Sequence, residues 1–117
     1  MTQHEKNPIP RQDREAVENP TGIFRTTMAF NDELMLCHFR MKEGARIPLH
    51  SHQPAQNGYV VKGRIRFFTQ ESSFVAEEGC GYVFDPNENH GAEVLCDSEV
   101  IECFTPKRPE FEPSRRK

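Results

Sequence analysis

With 117 residues, 28% of them charged and a net charge of −3, the chain has room for one domain and one modest core. That balance gives no electrostatic reason to bind nucleic acid or an anionic membrane surface. No apolar run has the length of a signal peptide or a bilayer span, so a soluble, cytoplasmic protein is expected.

Residues 1–20 are polar, hold three of the nine prolines and show no periodicity, which reads as an extended or disordered arm. The domain is expected to begin at Thr21 and run to residue 106. Within it, short β-rich runs are punctuated by Gly and Pro at intervals of about eight to twelve residues, the spacing of a sandwich or barrel. In chain order the expected strands are IFRTTMA, ELMLCHFRM, GYVVK, RIRFFT, SFVAEE, GYVF, AEVLC and EVIECFT. Gly63 between GYVVK and RIRFFT predicts a tight hairpin. No window shows a helical period, so the fold class is all-β. Residues 107–117, Pro-rich and charged, are expected to run over the surface. Cys37, Cys80, Cys96 and Cys103 are widely spaced inside apolar segments and form no C-x-x-C pair. They read as small buried hydrophobes in a reducing compartment.

The chemistry concentrates in HSHQPAQ, from His50 to Gln56. On a strand, alternate side chains share a face, so His50 and His52 would project into one space and make half a metal site. The competing reading is an HxH in a polar loop that holds no metal. A third histidine, His90, follows in GCGYVFDPNENH, from Gly79 to His90.

The two segments GARIPLHSHQPAQNGYVVKG and GCGYVFDPNENH resemble the two motifs of the cupin superfamily, a double-sheet jelly-roll barrel. The first motif has Gly, five residues, His-x-His, three residues, Glu, six residues and Gly, and each spacing is met. Gln56 stands where most cupins have Glu. In the second motif Gly79 and His90 are correctly separated, while Asp85 replaces the proline and Asn87 the glycine; both remain turn formers. The resemblance implies metal ligation by His50, His52, Gln56 and His90. Imidazole suits several divalent transition metals, with Ni, Zn, Fe and Mn as candidates. A ligand set of three imidazoles and an amide is neutral. It leaves the full charge on the ion, making it a stronger Lewis acid, and it lacks the carboxylate of the common non-haem iron triad.

NDELMLCHFRMKEGA, HSHQPAQ, DPNENHGAEVL and CFTPKRPEF together are similar to the small single-domain cupins of the pectin-degradation KdgF family. That resemblance covers most of 31–111 and implies conversion of 4,5-unsaturated uronate monosaccharides to linear keto-deoxyuronates. It assigns roles to Glu102, where the family has Asp, and to Phe104 and Arg108. A carboxylate beside an enol can move a proton, Arg108 can grip a uronate carboxylate in a two-point fork, and Phe104 can pack an apolar sugar face. Strand parity leaves the inward face open: Glu102 with Phe104, or Ile101 with Cys103 and Thr105. Arg108 otherwise reads as a residue of a solvated tail. A homodimer is expected, since exposed edge strands need cover. Two other classes fit the same motifs: an Fe- or Ni-dependent cupin dioxygenase, and a non-catalytic, metal-containing sugar sensor. His38 reads as a packed histidine, Tyr82 as structural, and Tyr59 as a residue near Gln56.

Overall fold

A computed structural model describes residues 7–113, in which eight strands form one antiparallel system. They are β1 Val17–Glu18, β2 Ile23–Phe30, β3 Met35–Met41, β4 Arg46–His50, β5 Ala55–Phe68, β6 Ser73–Glu77, β7 Gly81–Phe84 and β8 His90–Thr105. The pairing path is β1-β2-β3-β8-β5-β6, with β4 on β8 and β7 on β5. His4 and the basic residues Arg115, Arg116 and Lys117 lie outside the described residues. Within the stretch read as an arm, Arg11–Asp13 forms a 3-10 turn and β1 pairs with β2. No helix among the described residues is long and apolar enough to cross a membrane.

The hairpin expected at Gly63 is not there. GYVVK and RIRFFT belong to a single strand, β5, 14 residues long, whose register against β8 shifts three times between Val60 and Ile65. Gly63 has φ +104°, and a Cβ there would lie 2.1 Å from the Ser98 hydroxyl oxygen. A glycine at positive φ bulges and bends a strand against a close neighbour as readily as it reverses one. AEVLC and EVIECFT likewise fuse into β8, 16 residues long. Its first part pairs with β4 and the end of β5, its second with β3 and the start of β5. These two long bent strands fold the sheet round into a barrel.

β4 has no counterpart among the expected strands. Its sequence, RIPLH, contains Pro48, and its residues are exposed or half-buried, so it lacks the alternating signature of a strand packed on a core. The core lies inside the barrel, where Met35, Val60, Ile65, Val94 and Val100 are essentially inaccessible to solvent. All four cysteines are free, and only Cys37 is buried; Cys80 is exposed and the other two are half-buried, contrary to the expectation of four buried thiols.

Candidate metal centre and acid-base site

Three segments converge at one end of the barrel. His50 ends β4, His52 lies in the following loop, and His90 opens β8 directly opposite His50. Strand alternation does not bring the first two together, as His52 is on no strand. One backbone and one side-chain hydrogen bond hold the loops: the Asn87 N–H donates to the His52 carbonyl at 2.8 Å, and the Glu88 carboxylate accepts from the Asp85 N–H at 2.9 Å. Asn87, at the position of the family's glycine, adopts φ +65°, a conformation asparagine tolerates. One ligand atom from each of the three histidines falls within 4.8 Å of the others.

The hydrogen bonds identify which nitrogen each ring offers. His50 Nδ1 lies 3.0 Å from the Pro48 carbonyl, His52 Nδ1 2.8 Å from that of Pro54, and His90 Nδ1 2.8 Å from that of Glu88. A carbonyl only accepts, so each Nδ1 carries the hydrogen and each neutral ring keeps a bare lone pair on Nε2. Burial lowers the basicity of His52, with Arg108 adding to the effect, and lowers His90 to a pKa of about 4. Both rings are therefore neutral at pH 7. His90 also stacks on Phe84, 4.3 Å between centroids and 6° between planes.

Gln56 sits on β5 opposite Phe84 and Phe104. Its amide is directional. Nε2 donates to Glu102 Oε2 at 2.8 Å, which turns Oε1 toward His52 Nε2, 2.9 Å away. Two lone pairs thus face each other at hydrogen-bond distance with no hydrogen between them. Such a pair is repulsive unless a cation joins it, and the residues present fit a divalent metal.

Glu102 and Phe104 point inward and are buried, while Ile101 is 37% exposed, which settles the open parity. Glu102 Oε2 accepts a second hydrogen bond, from the Tyr82 hydroxyl at 2.5 Å. Burial raises the pKa of the Glu102 carboxyl, against the opposing pull of the Tyr82 and Gln56 hydrogen bonds and of Arg108. Burial, then the Glu102 charge, pushes the Tyr82 phenol well above its ordinary value. Tyr82 reaches Glu102 across Gly58, which is in register with both; a Cβ on Gly58 would lie 2.4 Å from the Tyr82 hydroxyl.

A cavity of about 190 Å³ is lined by His50, His90, Gln56, Glu102, Phe104 and Arg108 among others, with His52 and Tyr82 standing behind its wall. Arg108 is not a solvated tail residue: its side chain is 15% exposed and lies 5.2 Å from the Phe104 centroid and 4.0 Å from that of Phe111. Its Nε and Nη2 both approach Glu110 Oε2, at 3.0 and 2.9 Å. A larger recess, about 340 Å³, lies on the outer face beside Arg40, Lys62 and Glu99 and contains none of the expected site residues.

The family model for the cupin domain matches residues 37–102. This chain belongs to the cupin family. The cupin is similar to the structure of KdgF from Halomonas sp., at 27% identity, TM-score 0.82, over 89% of this chain and 98% of that one. It is also similar to an RmlC-like cupin from Shewanella frigidimarina, at 28% identity, TM-score 0.81, over 86% and 91% of the two chains. The polyketide cyclase RemF from Streptomyces resistomycificus shares the fold at 17% identity and TM-score 0.74, over 88% of this chain and 81% of that one. No curated protein matches the chain. The matched segment contains His50, His52, Gln56, His90 and Glu102; Phe104 and Arg108 follow it.

His38 and Tyr59 stand away from the cupin's cavity. His38 is buried against Glu99, 2.5 Å from its carboxylate, and Tyr59 is 51% exposed. Two neighbours of the site are missed by sequence reasoning. Tyr82 reads there as merely structural, although its parity with Phe84 places it on the inner face. Arg25, on the inner face of β2 between Ile23 and Thr27, is 9% exposed, and its guanidinium lies over Phe111, 4.2 Å from the centroid. Burial, with Arg108 as a further cause, lowers its pKa. The available signal was a charged residue in phase with apolar neighbours.

Proposed function

We propose that this cupin is a metal-dependent enzyme that opens and tautomerises 4,5-unsaturated uronate monosaccharides to linear keto-deoxyuronates. The observation that carries the reading is the Gln56 amide. It turns a lone pair toward the histidines and an N–H toward a buried carboxylate, linking a metal centre to a proton carrier.

His50, His52, Gln56 and His90 would hold one divalent transition metal, Ni, Zn, Fe or Mn. When bound it would supply Lewis acidity toward an oxygen ligand. Arg108 meets the substrate carboxylate with the donors that Glu110 leaves unused, and Phe104 packs the apolar face of the sugar. Glu102 is the proton carrier. With Oε2 held by Tyr82 and Gln56, Oε1 is the atom that exchanges a proton with the enol. Ring opening breaks the hemiacetal C1–O5 bond: the C1 hydroxyl loses its proton as the aldehyde forms, and the ring oxygen gains one to become the enol hydroxyl. That hydroxyl then gives up its proton, the carbon at the far end of the double bond gains one, and the carboxyl ends unchanged. A carboxyl raised by burial holds its proton more readily than a solvated one, which suits it to that exchange. The apolar lining keeps competing water from the reacting carbons.

The test pairs the wild type with Glu102→Gln, both metal-loaded, on a 4,5-unsaturated monouronate, with the product read by NMR. The amide keeps an oxygen for Tyr82 and Gln56, so fold and metal content should persist. Turnover should fall by about 10²–10⁴, the usual contribution of a general acid-base group. Full turnover by Glu102→Gln rejects the assigned proton carrier. No conversion by the wild type rejects the uronate reading and favours an oxygenase, if oxygen is consumed, or a sugar-binding cupin, if uronate binds unchanged.

A further inference from the structure

We propose that Arg25 is a positioning residue that acts through Phe111 to hold Arg108 at the cavity wall; the substrate side of this inference rests on the uronate reading above. Arg108 precedes a 3-10 turn, Pro109–Phe111, that follows the last strand. A segment of this kind, beyond the barrel and with no sheet to pair with, needs anchors to keep a side chain in place.

β2 supplies two anchors from its inner face. The Thr27 hydroxyl donates to the Phe111 carbonyl at 2.6 Å, and Arg25 covers the Phe111 ring at 4.2 Å. Arg108 lies over the same ring at 4.0 Å. Phe111 is thus shared between a guanidinium from the barrel wall and the guanidinium that lines the cavity.

Arg25 carries no other evident duty. Its Nε is buried without a hydrogen-bond partner, and the one carboxylate whose charge opposes the effect of its burial, that of Glu110, is bonded to Arg108 instead. A buried guanidinium whose Nε has no hydrogen-bond acceptor is costly. A second cation across one ring adds repulsion, which a bound anion would relieve. The arrangement therefore trades stability for a fixed, electron-poor wall facing the cavity, suited to a carboxylated ligand.

Three variants test it: Arg25→Met, which keeps length without charge, Arg25→Lys, which keeps charge without the planar stack, and Thr27→Val, which frees the Phe111 carbonyl. Two readouts apply to metal-loaded protein: the Arg108 Nε–H signal in 15N NMR, and binding of a saturated, unreactive monouronate and its methyl ester. Arg25→Met and Thr27→Val should each broaden or average the Arg108 signal. They should weaken carboxylate binding by about tenfold or more, the scale of one charge-assisted hydrogen bond, and leave the methyl ester and metal content unchanged. Arg25→Lys should restore little. Arg25→Met combined with Arg108→Gln should bind no worse than Arg108→Gln alone. An unchanged Arg108 signal in both Arg25→Met and Thr27→Val overturns the positioning role whatever the ligand, as does an additive double variant. A collapsed Arg108 signal with no uronate binding by the wild type would uphold the positioning role and sink the uronate reading instead.

Discussion

Replacing Gln56 by Glu would restore the residue found in most cupins, and here it should be damaging. Glu102 Oε2 lies 2.8 Å from the amide nitrogen of Gln56. A glutamate in the same pose puts oxygen against oxygen. Two unit charges at that separation repel by about 6 kcal/mol at an effective dielectric constant of 20. At 1.36 kcal/mol per decade, this is roughly four powers of ten in proton affinity, so the pair holds a shared proton at neutral pH. The folded variant then binds one proton more than its unfolded chain, whose two carboxyls titrate independently near 4.3. A raised folded pKa gives stability that is complete below the unfolded value and lost as pH rises through the folded one. Metal-free Gln56→Glu should therefore match the wild type in melting temperature near pH 4 and fall progressively behind it up to pH 8. Its turnover of the unsaturated uronate should drop about a hundredfold or more, because the proton carrier is tied to its neighbour. Parallel melting curves across that pH range, with wild-type turnover, would refute the reasoning.

Tyr82→Phe removes one of two donors to a fully buried carboxylate, which should cost about 1.5–3 kcal/mol of stability at neutral pH and raise the Glu102 pKa further. The acidic limb of the pH-rate profile should move to higher pH; an unmoved limb would show that Tyr82 does not tune Glu102. Gly58→Ala places a Cβ 2.4 Å from the Tyr82 hydroxyl. It should cost about 1–3 kcal/mol by overpacking and reproduce the Tyr82→Phe pH shift. Thermal melts paired with pH-rate profiles check both, and wild-type behaviour of Gly58→Ala would mean that the ring has room to move.

The convergence of His50, His52 and His90 was legible in the sequence because their spacings are set by turns and ladders that a linear pattern records. Glu102 and Arg108 were named through resemblance, but their placement needed three dimensions. A strand has two faces, and only the packing of β8 on β3 and β5 decides between Glu102 and Ile101. Gly63 shows the limit of local reading: positive φ is the same at a hairpin and at a bulge, and what distinguishes them is whether the next residues find a partner in β8. Tyr82 and Arg25 were passed over because their partners, Glu102 and Phe111, are far away in sequence, so no local pattern joins them.

The uronate reading is tested most directly by a time course of absorbance at the enol band of a 4,5-unsaturated monouronate, with metal-loaded protein and again after chelation. Loss of the band well above the spontaneous rate, abolished by the chelator and restored by a divalent metal, is the predicted result. A decay no faster than the spontaneous one with the metal bound would contradict it.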